Sequence, residues 1–191
     1  MDLPESHPLI RVKRRAGRIK RYVKRQWWER NIGKHYKAWL LDSQQRPVGS
    51  IDNAVPLAVI VPVYNPPVRF LEECLTSVLN QTGRNWQLIV SDDGSTETDV
   101  VTFLARFADA NADDARVVVI RGENGGISAA QNRALEFVTC EYFGWLDHDD
   151  RLNPRAVELM SEAIATGDPR PQVIYSDEDK IDSKGEHYEL Y

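Results

Sequence analysis

Two aspartate doublets each stand where an apolar run stops. Asp92-Asp93 opens Asp92-Asp93-Gly94-Ser95-Thr96 directly after Leu88-Ile89-Val90. Asp149-Asp150 closes Asp147-His148-Asp149-Asp150 directly after Phe143-Gly144-Trp145-Leu146. Carboxylates this dense resist joint ionisation, and a bound divalent cation relieves the repulsion. A hard cation such as Mg2+ takes one or two carboxylates and completes its shell with water and phosphate oxygens. The pattern points to phosphate chemistry.

Each motif also has a plainer reading. Asp92–Thr96 offers acceptors to the N–H and O–H groups of a base or ribose, or is a turn that caps the next helix. Gly122-Glu123-Asn124-Gly125-Gly126 lacks the GxGxxG spacing of a dinucleotide fingerprint. It would let a ligand approach the positive end of the following helix, or it is a tight strand-to-helix turn. The acidic run 147–150 reads as a phosphate-metal site or as a solvated loop whose Asp caps the helix at Pro154. A calcium loop fails, because Leu152 stands where that loop needs glycine. His148, inside the acidic cluster, reads as a ligand, as a catalytic base or, the reading favoured, as a local hydrogen-bond donor. No Ser-His-Asp or Cys-His arrangement can be assembled from spacing.

The elements that must position these residues follow from periodicity. A continuous β-branched run predicts a strand buried on both faces at Leu57–Val61, and further strands are expected at Trp86–Val90, Arg116–Ile120, Tyr142–Leu146 and Gln172–Tyr175. Helices are expected at Phe70–Leu79, Asp99–Ala110, Ile127–Val138 and Pro154–Ala165. This alternation indicates an α/β fold with right-handed crossovers and a mostly parallel sheet. Every polar motif would then sit at a strand carboxyl end, including Tyr64-Asn65 and Ser176-Asp177-Glu178-Asp179. Ligands bind at that edge in open α/β sheets.

The chain has 191 residues, 42% of them hydrophobic and 28% charged, an ordinary globular composition. Its net charge of −5 divides unevenly: residues 1–50 carry 13 Lys+Arg against 4 Asp+Glu, and the rest is strongly acidic. Residues 1–41 read as a basic helical arm, with Val12, Ala16, Ile19, Val23 and Trp27 on one face, residues 42–55 as a linker, and residues 56–191 as the α/β domain. The arm suits packing on that domain or peripheral contact through residues 9–31 with an anionic membrane. Nucleic acid is not expected as a partner, since the acidic domain would repel it. Cys74 and Cys140 read as buried thiols. With no spanning helix and no signal segment, a cytoplasmic location is expected, peripheral at the inner membrane face if the arm binds there.

Residues 55–185 resemble family 2 glycosyltransferases of the GT-A fold. The resemblance lies in Val61-Pro62-Val63-Tyr64-Asn65, Ser77-Val78-Leu79-Asn80-Gln81-Thr82, Ser91–Thr96, Asn124–Asn132, Leu146–Asp150 and Tyr175–Asp182. The last resembles members that build O-antigen and other cell-surface polysaccharides, rhamnosyltransferase-like ones included. It implies a nucleotide-diphosphate sugar donor, Mg2+ or Mn2+, inversion, and a lipid-linked or polysaccharide acceptor. By the same resemblance Pro62, Val63, Tyr64, Asn65, Gly125, Gly126 and Asn132 line the nucleotide site. Asp93 contacts the base with Asp92 in support. Asp147 binds ribose and, with Asp149 and Asp150, the metal, Asp149 being favoured as direct ligand. Family members continue well past the Tyr-Ser-Asp-Glu-Asp segment, and their acceptor site and base lie there. The chain stops at Tyr191, so the catalytic base is left unassigned, with Glu178 and Asp179 as weak candidates. A truncated donor-binding module without turnover is the alternative to a complete enzyme.

Overall fold

The computed structural model describes Trp27, residues 34–45 and 55–182, Gly185 and residues 187–190. The arm helix expected from Leu9 to Arg30 lies outside the described residues, apart from Trp27. The chain divides into two compact units, residues 47–173 and residues 1–46 with 174–191.

The larger unit is an α/β sheet. Strands β1 (Leu57–Val63), β2 (Trp86–Asp92), β3 (Val117–Arg121) and β4 (Tyr142–Trp145) run parallel in the order β3-β2-β1-β4. Helices α2 (Val68–Leu79), α3 (Thr98–Ala110), α4 (Ile127–Leu135) and α5 (Ala156–Thr166) follow them. The chain steps outward from β1 to β3, then returns to place β4 on the free side of β1. Right-handed crossovers therefore put α2 and α3 on one face and α4 on the other. Both faces of β1 are buried as a result, and so is every residue of β2. Ala58, Ile60 and Ile89 pack with Ala134 of α4, while Leu71, Leu75 and Val78 sink the apolar stripe of α2. Burying each such Leu, Ile or Val side chain is worth about 1.5–3 kcal/mol.

β1 and β2 continue two residues beyond their expected ends, because Pro62 and Val63 pair in register with Ser91 and Asp92. Helix α4 stops earlier than expected. The buried Gln87 donates to Phe137 O at 2.9 Å and accepts from Thr139 N at 3.0 Å, which draws the chain out of its helix before Val138. Helix α5 begins at Ala156, leaving Pro154 in the turn ahead of it.

The strand expected at Gln172–Tyr175 does not form. Its approach runs through Pro169 and Pro171, which have no N–H to pair, and Val173 and Tyr175 are 82% and 90% exposed. The polar run Ser176–Glu178 consequently precedes a strand instead of ending one.

The smaller unit contains α1 (Lys34–Gln45) and an antiparallel pair, β5 (Asp179–Ile181) with β6 (His187–Leu190). α1 includes Asp42–Gln45, which composition assigns to the linker. Tyr36 donates to Asp179 Oδ2 at 2.6 Å, and His187 Nδ1 lies 2.7 Å from the same oxygen. Tyr36 has its pKa raised by burial first, then by that bond and the charge of Asp179. Among the described residues no helix is long and apolar enough to cross a membrane.

Candidate functional site

The strand order reverses between β1 and β4, and a crevice opens at such a switch point beyond the strand carboxyl ends. Leu146 N donates to Ile60 O at 2.9 Å, so the acidic loop leaves β4 beside the end of β1. Asp147, Asp149 and Asp150 are all exposed there, as is Tyr64 directly after β1. Pro62 and Val63 are buried beneath it.

Asn65 takes a left-handed backbone, φ 47°, and ties the next loop in place. Its N–H donates to Ser95 Oγ, and its side-chain carbonyl accepts from Thr96 N at 2.8 Å and Glu97 N at 3.0 Å. The free N–H groups ahead of α3 are thus met by Asn65, and the aspartate doublet does not cap that helix. Asp92 instead accepts from Ser95 N at 2.9 Å within the turn, with Arg121 Nε 3.4 Å from its other oxygen.

Asp93 is 2% exposed, and a buried carboxylate needs partners. It finds Gly126 N at 2.7 Å, Gly125 N at 3.1 Å and Arg133 Nη2 at 3.5 Å. Gly126 can present its N–H because it adopts φ +88°, and Gly94 adopts φ +74° where a Cβ would meet Asn124 N at 2.9 Å. The two glycine N–H groups ahead of α4, expected to receive a ligand, therefore hold Asp93. Asn132 is exposed on α4. Arg133, which also donates to Asp92 O and Glu123 O, has a site role that sequence reading missed. Its spacing of seven from Gly126 puts it back over the loop and is the signal that could have found it.

Beneath the acidic loop lies Cys74, whose Sγ is 3.5 Å from Asp147 O. Burial first, then the charges of Asp150, Asp149 and Asp147, push its thiol up to about 12. Cys140 is only half-buried, not fully as its apolar surroundings suggest. His148 Nδ1 is buried with no hydrogen-bond partner, Asp149 Oδ1 lying 3.8 Å away, so the expected local donor bond is not made through that atom. No Asp caps α5, whose preceding turn is closed by Asn153 Oδ1 accepting from Arg155 N.

Among the described residues no three His, Cys, Asp or Glu side chains form a metal cage. The donor set is instead open and all-oxygen. It suits a cation held by one or two carboxylates and completed by phosphate and water. Asp179 is engaged by Tyr36 and His187, and Glu178 is exposed in the smaller unit, so neither stands as a prepared base.

Similarity to known proteins agrees with this architecture. The chain matches the family described as "Glycosyl transferase family 2" over residues 58–189. An uncharacterized glycosyltransferase of Rickettsia conorii is 33% identical over 137 residues, which are 68% of this chain and 20% of the relative. The hyaluronan synthase of Pasteurella multocida is 36% identical over 108 residues, 56% of this chain and 11% of that one. The chain therefore spans a fifth or less of the length of these relatives. The S. aureus TarS 1–349 structure in complex with UDP shares the fold, with a TM-score of 0.50 and 24% identity over 58% of this chain and 32% of TarS 1–349. Sheet order, flanking helices and family match agree: this GT-A chain belongs to glycosyl transferase family 2.

Proposed function

We propose that the larger unit is the donor-binding domain of a glycosyltransferase. It takes a nucleotide-diphosphate sugar, and the sugar passes with inversion to a lipid-linked or polysaccharide acceptor of a cell-surface polymer. The observation that carries this reading is the exposed Asp147–Asp150 cluster at the switch point of a parallel sheet. Clustered solvent-facing carboxylates on a rigid edge repel one another, and a cation-bound diphosphate is the partner that removes the repulsion.

In this reading Tyr64 offers its exposed ring to the base, and Pro62, Val63 and Asn65 form the floor and rim. Asp92 and Asp93 act chiefly as builders, fixing the Ser95 turn and the Gly125–Gly126 loop, with any base contact by Asp93 added to that work. Asn132 faces solvent near the same loop. Asp147 accepts from ribose hydroxyls, and Asp149, with Asp150 beside it, would hold Mg2+ or Mn2+. Such an ion, when bound, supplies positive charge against the leaving nucleoside diphosphate.

Thermal unfolding with UDP, GDP, dTDP, CDP and ADP, each with and without Mn2+, tests this. One diphosphate with Mn2+ is expected to stabilise the chain by roughly 2–3 kcal/mol at about a hundred times its Kd. No stabilisation by any member of the panel would reject donor binding.

A further inference from the structure

One motif remains without a role: Ser77-Val78-Leu79-Asn80-Gln81-Thr82, at the end of α2. Gln81 is only 7% exposed although its side chain is an amide. It donates to Ser77 O at 3.1 Å and to Asn153 O at 2.7 Å, and its carbonyl accepts from Val157 N at 2.9 Å. Ser77 Oγ accepts from Leu152 N at 3.0 Å while donating to Cys74 O at 2.6 Å. Cys74 Sγ reaches Asp147 O, and Thr82 N donates to Pro154 O at 2.9 Å.

Cys74 and Ser77, spaced i, i+3, share one face of α2, and Gln81 follows directly after its C-cap Asn80. Together with Thr82 they satisfy backbone groups of Asp147, Leu152, Asn153, Pro154 and Val157. The same loop leaves its three carboxylates exposed, so its backbone is held from below while its side chains face solvent. α2 is itself fixed by the fully buried Leu71, Leu75 and Val78.

We propose that Gln81, with Ser77 beside it, is a positioning residue for the acidic loop. It sets the height and register at which Asp147–Asp150 meet a cation-bound diphosphate. The assignment rests on the reading of that loop as the cation site. Groups that orient metal ligands without touching the metal typically change affinity by about 10–100-fold when lost.

The test uses the full chain in four variants: Gln81→Met, Ser77→Ala, Asp149→Ala and Val78→Ala, the last a core cavity in α2 that leaves the loop contacts in place. The first readout is affinity for the tightest-binding diphosphate of the panel, with and without Mn2+. Gln81→Met and Ser77→Ala are expected to lose about tenfold or more of the Mn2+-dependent gain, with metal-free affinity kept. Val78→Ala keeps the gain even though it is destabilised. A full gain in both Gln81→Met and Ser77→Ala overturns the proposal while Asp149→Ala still tests the cation site. The second readout is amide exchange of Asp150 and Arg151, whose N–H groups Gln81 does not touch. Faster exchange in Gln81→Met and Ser77→Ala but not in Val78→Ala supports positioning even if no Mn2+ effect exists in the parent; unchanged exchange overturns it.

Discussion

Cys74 shows how single residues report the field of the site. Its thiol lies under three carboxylates in a buried position and is pushed up to about 12. The unfolded chain releases the same proton near the ordinary cysteine value of about 8.5. Stability from this group is therefore complete below that value and declines as pH rises toward 12. Cys74→Ala should lose that part of the alkaline decline. In native protein at pH 8, a thiol reagent should modify the half-buried Cys140 and reach Cys74 only after unfolding; matched rates for both would contradict the placement. Residue identity was readable from the chain where polar groups interrupt an apolar run, as at Asp92 and Asp147. Residue function was less so. Nothing local in Asp93 tells that its carboxylate closes on Gly125 and Gly126 some thirty residues on, because that contact exists only once β2 and α4 are adjacent.

That contact is also the joint between elements. Asp93 directly follows β2, and through its two glycine partners and Arg133 it fixes the entry to α4. Asp93→Asn keeps the shape but turns an N–H2 toward N–H donors. Hydrogen bonds to a charged group are worth about 1.5–3 kcal/mol, so chemical denaturation should show a loss of that order with an unchanged slope. A loss within error of zero would mean the clamp is not closed in solution. At this scale the four strand–helix repeats were legible, since runs such as Leu57–Val61 are too apolar to be anything but buried. The misses have specific causes. Gln87 ended α4 early through a side-chain bond that periodicity does not encode, and Gln172–Tyr175 had strand-like residues but no partner ladder. The β5–β6 pair was invisible because Asp179–Ile181 is short and polar, held through Asp179 by Tyr36 and His187.

For the whole molecule, the order β3-β2-β1-β4 matters more than any motif, because it seats the loop after β1, with Tyr64, next to the Asp147–Asp150 loop after β4. The edge was predictable from strand–helix alternation; which two loops face each other was not, since strand order is a tertiary property. The central claim is that the crevice holds a cation only together with a diphosphate. The electron paramagnetic resonance signal of free Mn2+ measures this most directly. With parent protein the free signal should fall little on mixing with Mn2+ alone, because the described residues contain no three-ligand cage. It should fall well below that of a protein-free Mn2+–nucleotide control when the stabilising nucleoside diphosphate is added, and return to the control level in Asp149→Ala. Equal Mn2+ uptake with and without nucleotide, or equal uptake by parent and Asp149→Ala, would contradict the account.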